Sequence, residues 1–486
     1  MQLNQLLEDV SVIQHTGNLS TTIREVHFDS RRLAEGDLFV AVPGTQVDGH
    51  TFIDIAIEKG VHAIVCEQLP ENPQPQISWV VVSRSQEALS KVMANFFGRP
   101  AEQLAIVGVT GTNGKTSVAT LLHQLFQQLG QTAGLVSTVQ YMVGNEVFLS
   151  SHTTPDARQL QELFAHMVEA GCEFCFMEVS SHALSQGRVA GVPFQAAAFT
   201  NLTHDHLDYH GTFANYRDAK KLLFDNLGKQ ATALINLDDK NGRFMVQNTR
   251  ANVRTYALNR MADYQGRIIE NGLSGLQMEI NGHEVWFRLV GSFNAYNLLA
   301  VLGIAVELGF EEEEVLAGMS LLEGASGRFQ RLQSPNGLTA IVDYAHTPDA
   351  LENVLSTLQD VNQAEGKILT VVGCGGNRDK GKRPSMAKIA TRFSDKVVLT
   401  SDNPRDEDPA SILEEMKAGI DPDDLYKVLV IQDRREAIRV ACQLADSQDL
   451  VLVAGKGHET YQEIRGVRHP FDDREVLRKA FEDLAR

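Results

Sequence analysis

The segment Gly108-Val-Thr-Gly-Thr-Asn-Gly-Lys-Thr-Ser117 limits the possible fold more than any other part of this chain. The apolar run LAIVGV (104–109) enters it and TSVATLLHQLFQQLG (116–130) leaves it, so a strand must end where a helix begins. In the second run Val118, Leu121, Leu122, Leu125, Phe126 and Leu129 recur at three- and four-residue steps, which gives the helix one buried face. Between them, Gly111 and Gly114 let the backbone approach a polyphosphate, and the unpaired amides at the helix start point toward it. Lys115 supplies a cation and Thr116 a hydroxyl for Mg²⁺, so nucleotide binding is expected; the plain alternative is a turn with a surface lysine. One detail departs from the general pattern G-x-x-x-x-G-K-[ST]: five residues before Gly114 stands Val109, where glycine is required.

A strand–loop–helix unit of this kind belongs to a mainly parallel, helix-covered sheet, and the buried-strand candidates Glu173–Ser180, Ala196–Asn201 and Ala231–Asn236 extend it. A chain of 486 residues exceeds what one core supports, so three α/β domains are expected. Residues 1–97, with the short runs GDLFVAVPG and HAIVCEQ and the loop PENPQPQ (70–76), form a small α/β unit that ends before GRPAEQ (98–103). Residues 98–331 form a central phosphate-loop ATPase-like domain. Residues 332–486 form a Rossmann-like domain, because TAIVDYAH, KILTVVGCGG, KVVLTSDNP and DLVLVAGKG each run from an apolar strand into a loop rich in glycine or aspartate.

The net charge of −18 argues against a nucleic-acid partner. No basic segment with an apolar run opens the chain and no eighteen apolar residues occur together, so a cytoplasmic protein without stable membrane insertion is expected; a monomer is a separate expectation. Five scattered cysteines suit a reducing compartment. Cys172 and Cys175 have C-x-x-C spacing, but no second pair exists and Phe174 and Phe176 mark the segment as a buried strand.

Mg²⁺ needs hard oxygen ligands, and Glu178, at the end of FCFMEVSSH, would be delivered to the loop by a parallel strand. His204, His206 and His210 in THDHLDYH admit a zinc site, although three histidines among aspartates in a solvent loop are more often polar filler. AKKLLF (219–224) reads as a helix start whose two lysines form a solvated face.

Taken together, GTNGKT, EVSSH, NLTHDHLDYHG, AKKLLF, GSFNAYN, SGRFQ and DYAHTP, in this order and spacing, resemble the Mur ligase family over nearly the whole chain. These are ATP-dependent amide-bond ligases of cell-wall peptide assembly, and their loop is a shortened G-x-x-G-K-[ST], which accounts for Val109. GCGGNRDKGKRP, the tetrapeptide Asp402-Asn403-Pro404-Arg405 and GKGHE are similar to those of members that add meso-diaminopimelate to UDP-N-acetylmuramoyl-L-alanyl-D-glutamate.

The resemblance implies that Gly111, Thr112, Asn113, Gly114, Lys115, Thr116 and Ser117 bind ATP, with Asn294, Arg328, Asp343 and His346. Thr116, Glu178 and His206 would surround Mg²⁺, joined by Lys220 as a CO₂-derived carbamate (N6-carboxylysine); Lys115, Glu178, His206 and Lys220 would be catalytic. A carbamate turns an ammonium that would repel the metal into an anionic ligand. Phe28, Ser30, Thr45, Gln46 and Val47 would hold the uridine end of the UDP-substrate, and His152, Thr153, Thr154, Ser180, Gln186 and Arg188 its muramoyl-dipeptide, with His152 standing where some relatives have asparagine. Arg378, Asp402, Asn403, Pro404, Arg405, Gly455 and Glu459 would receive diaminopimelate, Arg405 reading its distal carboxylate and Asp402 and Glu459 its distal ammonium.

The implied chemistry is phosphorylation of a carboxylate, then attack of an amine on the acyl phosphate. Folylpolyglutamate synthases share that logic, but DSR (29–31) and Asp402–Arg405 weigh against folate as acceptor. A non-catalytic nucleotide-binding scaffold is the rival from another class. Its weakness is the intact Lys115, Glu178, His206 and Lys220. A mechanical phosphate-loop NTPase is more remote.

Overall fold

The computed structural model describes residues 1–44, 47–362 and 366–484, so Thr45 and Gln46 lie outside the described residues. The chain builds three large sheets, each with its own apolar core. The first has the order Val12–Thr16, Ser78–Val82, Ala63–Cys66, Leu38–Val40, Val26–His27, and only Val12–Thr16 runs antiparallel to its neighbour. PENPQPQ is a loop between two of its strands, as its prolines require.

The middle sheet has eleven strands. From Tyr264–Gly272 across to Ala133–Val136 it is parallel, and Ala105–Thr110 lies at its centre between Phe194–Phe199 and Phe174–Glu178. The strand feeding the phosphate loop is thus flanked on both sides by strands reached through crossovers, the place where ligand crevices open in such sheets. Antiparallel additions close both edges: Gly275–Ile280 and His283–Phe287 on one side, Gln140–Val143 and Glu146–Leu149 on the other. Sequence periodicity did not reveal these short hairpins. Glu146–Leu149 is exposed throughout, and Tyr264–Gly272 and His283–Phe287 mix exposed and buried positions without clean alternation, so no buried apolar run marks them.

The third sheet orders Gln330–Gln333, Thr339–Asp343, Leu450–Ala454, Ile368–Val372, Lys396–Leu399 and Val428–Val430, all parallel except Gln330–Gln333. On one face the helices Arg434–Leu444 and Asp473–Leu484 pack together. Arg434 and Asp473, both fully buried, form a paired bridge at 2.8 and 2.7 Å, and Arg434 Nη2 also donates to the carbonyl of Ala454 at 3.0 Å. That carbonyl ends the strand immediately before Gly455. No helix among the described residues is long and apolar enough to cross a membrane.

One local expectation is corrected. AKKLLF is the second half of the helix Phe213–Asp225, which begins where the Thr212 hydroxyl accepts from the amide of Asn215. The cap, seven residues upstream, sets the start. Both lysines are buried rather than solvated.

Candidate active site

The glycine loop turns on two strained positions. Gly111 has φ +152° and Gly114 φ +86°, and a Cβ would lie 1.9 Å from Thr200 Oγ1 at the first and 2.6 Å from Asn297 Oδ1 at the second. Both must be glycine for the loop to sit this close to its neighbours. The loop is held from the adjacent strand end: Thr200 Oγ1 donates to the Asn113 carbonyl at 2.6 Å, and the Asn113 amide donates to Asn201 Oδ1 at 2.9 Å. The helix Lys115–Gln128 then leaves with Thr116 and Ser117 in its first turn.

Two ammonium groups meet at one oxygen here. Lys115 Nζ donates to the carbonyls of Gly111 at 3.0 Å and Thr112 at 2.7 Å, and Lys220 Nζ donates to the same Gly111 carbonyl at 2.6 Å. Lys220 is 1% exposed and lies over the Tyr216 ring at 4.7 Å. Burial, reinforced by Lys115, pushes its ammonium well below the usual lysine range, with Asp205 opposing. Lys115 is lowered too, chiefly by desolvation, while Glu178 and Asp205 oppose. Lys221, one residue on, turns away to pair with Asp225. Helical geometry therefore gives the loop to Lys220 and not to its neighbour.

Glu178 ends its strand in register beside Val109 and is 1% exposed. Its carboxylate accepts from the Thr138 amide at 2.6 Å and the Thr138 hydroxyl at 3.2 Å. His206 adopts φ +52° at the head of a short helix, with Nε2 3.5 Å from Asp205. Desolvation lowers it to about 4, so its imidazole is neutral at pH 7 and can act as a ligand. At His206 and His210 the histidine loop is not solvent filler, which corrects the earlier expectation, whereas His204 is exposed. His210 is buried with Nε2 3.0 Å from Ser181 Oγ, His182 and His206 rings meet at 4.8 Å, and His204 instead packs on Phe213 at 5.0 Å. The three histidines of the zinc alternative thus do not converge on one point: His204 packs on Phe213, while His206 and His210 flank His182. No group of three or more His, Cys, Asp or Glu among the described residues is arranged to hold a metal by itself. A hydroxyl, a carboxylate and a neutral imidazole, completed by phosphate oxygens, suit Mg²⁺ better than a protein-only cage. Cys172 and Cys175 are buried and free.

The third sheet's residues reach this loop. Arg328 Nη2 donates to Thr116 Oγ1 at 3.1 Å while its guanidinium covers the Tyr344 ring at 4.6 Å. Asp343 is buried, accepts from the Phe329 amide at 2.6 Å and is raised by desolvation. His346 Nδ1 lies 2.9 Å from the Tyr344 carbonyl and is lowered to about 4 by burial and then by Lys382. Asn294 is oriented by the Val290 carbonyl and by Asn297 on the helix Ser292–Glu307. Sequence reading missed one contact: Asp349 Oδ2 accepts from Asn113 Nδ2 at 2.8 Å and from Thr203 Oγ1 at 3.0 Å. It stands directly after DYAHTP, at the start of the helix Pro348–Asn362.

Beside Glu178, Thr154 Oγ1 donates to the Glu178 carbonyl at 2.8 Å and accepts from the Ser180 amide at 3.0 Å. Arg188 Nη1 donates to the Thr154 carbonyl at 2.8 Å and Nε to Gln186 Oε1 at 2.9 Å. Thr153 Oγ1 accepts from Thr138, and His152 exchanges backbone contacts with the Tyr141 hydroxyl. This wall touches the first domain, where Ser90 Oγ donates to the Gly187 carbonyl at 2.7 Å. There Phe28 packs on the core, the Ser30 carbonyl accepts from Lys59 at 2.8 Å and Val47 is exposed.

A second cluster closes around the tetrapeptide. Asn403 Nδ2 donates to Glu459 Oε2 at 2.8 Å, and Gln462 Nε2 donates to the Asp402 carbonyl at 2.7 Å. Arg405, at φ +50°, donates from Nη1 to the Gly376 carbonyl at 2.7 Å and lies 3.6 Å from Glu463. Pro404 is buried, and Gly455, at φ +116°, leaves room where a Cβ would stand 2.5 Å from Asp402 Oδ2. Arg378 is exposed and is not hydrogen-bonded into this cluster.

Three family models match in sequence: "Mur ligase family, catalytic domain" over residues 22–97, "Mur ligase middle domain" over 109–305 and "Mur ligase, glutamate ligase domain" over 327–457. A protein of Bacteroides thetaiotaomicron named UDP-N-acetylmuramoyl-L-alanyl-D-glutamate–2,6-diaminopimelate ligase is 52% identical over 99% of this chain and 100% of its own. One of the same name from Cytophaga hutchinsonii is 53% identical over the whole of both chains. A solved structure of a ligase of that name is 34% identical, with a TM-score of 0.70 over 100% of this chain and 99% of the other. With the loop, the buried Lys220 and the three matched regions all in place, the chain belongs to the Mur ligase family.

Proposed function

We propose that the chain is an ATP-dependent ligase that adds meso-diaminopimelate to UDP-N-acetylmuramoyl-L-alanyl-D-glutamate during cytoplasmic peptidoglycan precursor synthesis. The names of relatives about half identical to it support the substrates. The observation that carries the chemistry is the convergence of Lys115 and Lys220 on the Gly111 carbonyl beside Glu178, in a partly dehydrated pocket at a helix start. Such a pocket suits a triphosphate.

In this reading residues 1–97 take the uridine end, 98–331 carry the nucleotide and the reacting carboxylate, and 332–486 present the amino acid, within a monomer. A buried Lys220 already held toward its neutral form is the species that combines with CO₂, and the resulting carbamate replaces like-charge repulsion with attraction to Lys115. Mg²⁺, when bound, would be held by Thr116, Glu178, His206 and that carbamate and would withdraw charge from the triphosphate. Thr154, Ser180, Gln186 and Arg188 orient the acceptor so that a γ-carboxylate oxygen of D-glutamate attacks the terminal phosphorus as its bond to ADP breaks. Lys115 stabilises the charge on the transferred phosphoryl group. The amine of diaminopimelate then attacks the acyl carbon, and the carbon–oxygen bond breaks to release orthophosphate. Asp343, His346 and Arg328 hold the third sheet over the nucleotide, which excludes water from the acyl phosphate.

The test follows one oxygen. Acceptor labelled with ¹⁸O in the glutamyl γ-carboxylate should deliver one label to the released phosphate during turnover with ATP and diaminopimelate. Release of unlabelled phosphate overturns the acyl-phosphate route.

A further inference from the structure

Lys456 belongs to none of the residue sets assigned so far, yet it is 0% exposed in the middle of the second cluster. Its ammonium donates to Asn403 Oδ1 at 3.0 Å and to Glu459 Oε2 at 3.0 Å, lies 3.9 Å from Asp402 Oδ1 and faces the Tyr461 ring at 5.6 Å. Asn403 is also consumed internally, since its Oδ1 accepts from the Glu463 amide at 2.9 Å and its Nδ2 bonds Glu459. Asn403 and Lys456 therefore form a frame that fixes where the two carboxylates stand. Gly455 and Gly457, at φ +116° and +53°, bring the backbone close enough for a lysine between them to reach inward.

We propose that Lys456 is the positioning residue of the amino-acid site: by bridging Asn403 and Glu459 beside Asp402, it fixes the spacing and ionisation of the carboxylate pair that reads the distal ammonium of the diamino acid. The inference rests on the substrate reading above and adds a residue to it. Two carboxylates this close cannot both stay ionised in a dry pocket unless a cation lies near them, and one cation against two anions leaves a single negative charge for one incoming ammonium. Burial and then Asp402 raise the Glu459 carboxyl, whereas Lys456 and Asn403 oppose that rise. The other charged or titratable groups around it are Tyr344, Tyr461 and Arg434. None of them hydrogen-bonds Glu459, so Lys456 is its one bonded cation among the described residues.

The experiment measures KM for meso-diaminopimelate, for ATP and for the UDP-substrate in the full chain, with Lys456→Met and Lys456→Arg, at pH 7 and pH 9. In Lys456→Met the diaminopimelate KM should rise at least about tenfold at pH 7, since losing the partner of a buried charge exceeds one decade in affinity. The other two KM values should stay within about twofold, which a folded active centre requires. Without the cation the Glu459 carboxyl protonates more readily, so the penalty, taken against the unmodified protein at the same pH so that deprotonation of the substrate amine cancels, should shrink at pH 9. Lys456→Arg keeps the charge and should remove that pH dependence even if its larger head raises KM. An unchanged diaminopimelate KM, or equal rises in all three, overturns the proposal. Should the unmodified protein give no diaminopimelate-dependent phosphate release, the substrate reading falls and this inference with it; turnover with an unshifted Lys456→Met overturns the inference alone.

Discussion

Two buried lysines do opposite work in this molecule. Lys220 bonds a carbonyl and has another ammonium for its neighbour, whereas Lys456 bonds a carboxylate and an amide with a second carboxylate close by. Around the first, Lys115 and the open helix start offer positive charge that Glu178 and Asp205 oppose, and around the second Asp402 and Glu459 leave negative charge in excess of Lys456. A buried charge that its own protein does not balance marks the sign of what is to bind there. The phosphate loop is thus built for an anion and the tetrapeptide cluster for a cation, which is the order a ligase needs to hold a triphosphate at one wall and an amine at the other.

The strongest way to break the comparison is Lys220→Ala. If Lys220 supplies an anionic ligand, kcat for ligation should fall by about 10²–10³, while UDP-substrate binding measured by calorimetry persists; a short carboxylic acid should restore part of the rate. Full activity would remove Lys220 from the role of anionic ligand. Arg405→Ala addresses the other wall, where a lost paired hydrogen bond to a carboxylate should cost roughly 10–100-fold in discrimination between diaminopimelate and lysine. Unchanged selectivity would remove Arg405 from recognition. Asp349→Ala tests whether the two walls are coupled: it frees Asn113 and Thr203, and kcat/KM for ATP should fall about tenfold, with the distance between labels on the second and third sheets broadening. The smallest effect concerns protons. His206 and His346 are lowered to about 4 by burial, so below the ordinary histidine value the unfolded chain binds protons that the folded chain refuses. Stability from these two groups is full above pH 6.5 and lost as pH falls toward 4; the melting midpoint at pH 5 should lie on the order of a few degrees below that at pH 7.

Much of the anion wall was legible in the sequence because its chemistry is local. Strand, glycines, Lys115 and helix occupy one stretch, and Glu178 follows from an apolar run that ends in an acid. The burial of Lys220 was not legible, since two adjacent lysines look alike until the helix start is fixed at Thr212. Asp349 and Lys456 were missed for a related reason. Each meets its partners across long stretches of chain, Asn113 in one case and Asn403 in the other, and neither sits in an apolar pattern that spacing could detect. The edge hairpins between Tyr264 and Phe287 escaped because Tyr264–Gly272 and His283–Phe287 mix exposed and buried positions without clean alternation. Composition and periodicity thus described the sheets' interiors, while the edges and inter-sheet contacts emerged only from the fold.

The fully buried Arg434–Asp473 bridge has a mechanical consequence. Through the Ala454 carbonyl it fastens the helix Asp473–Leu484 to the hinge of backbone from which Gly455 and Lys456 project. Cutting away that helix would slacken the anchorage of the amine-reading pocket from behind, so a truncated chain should lose grip on its smallest substrate before it loses its nucleotide.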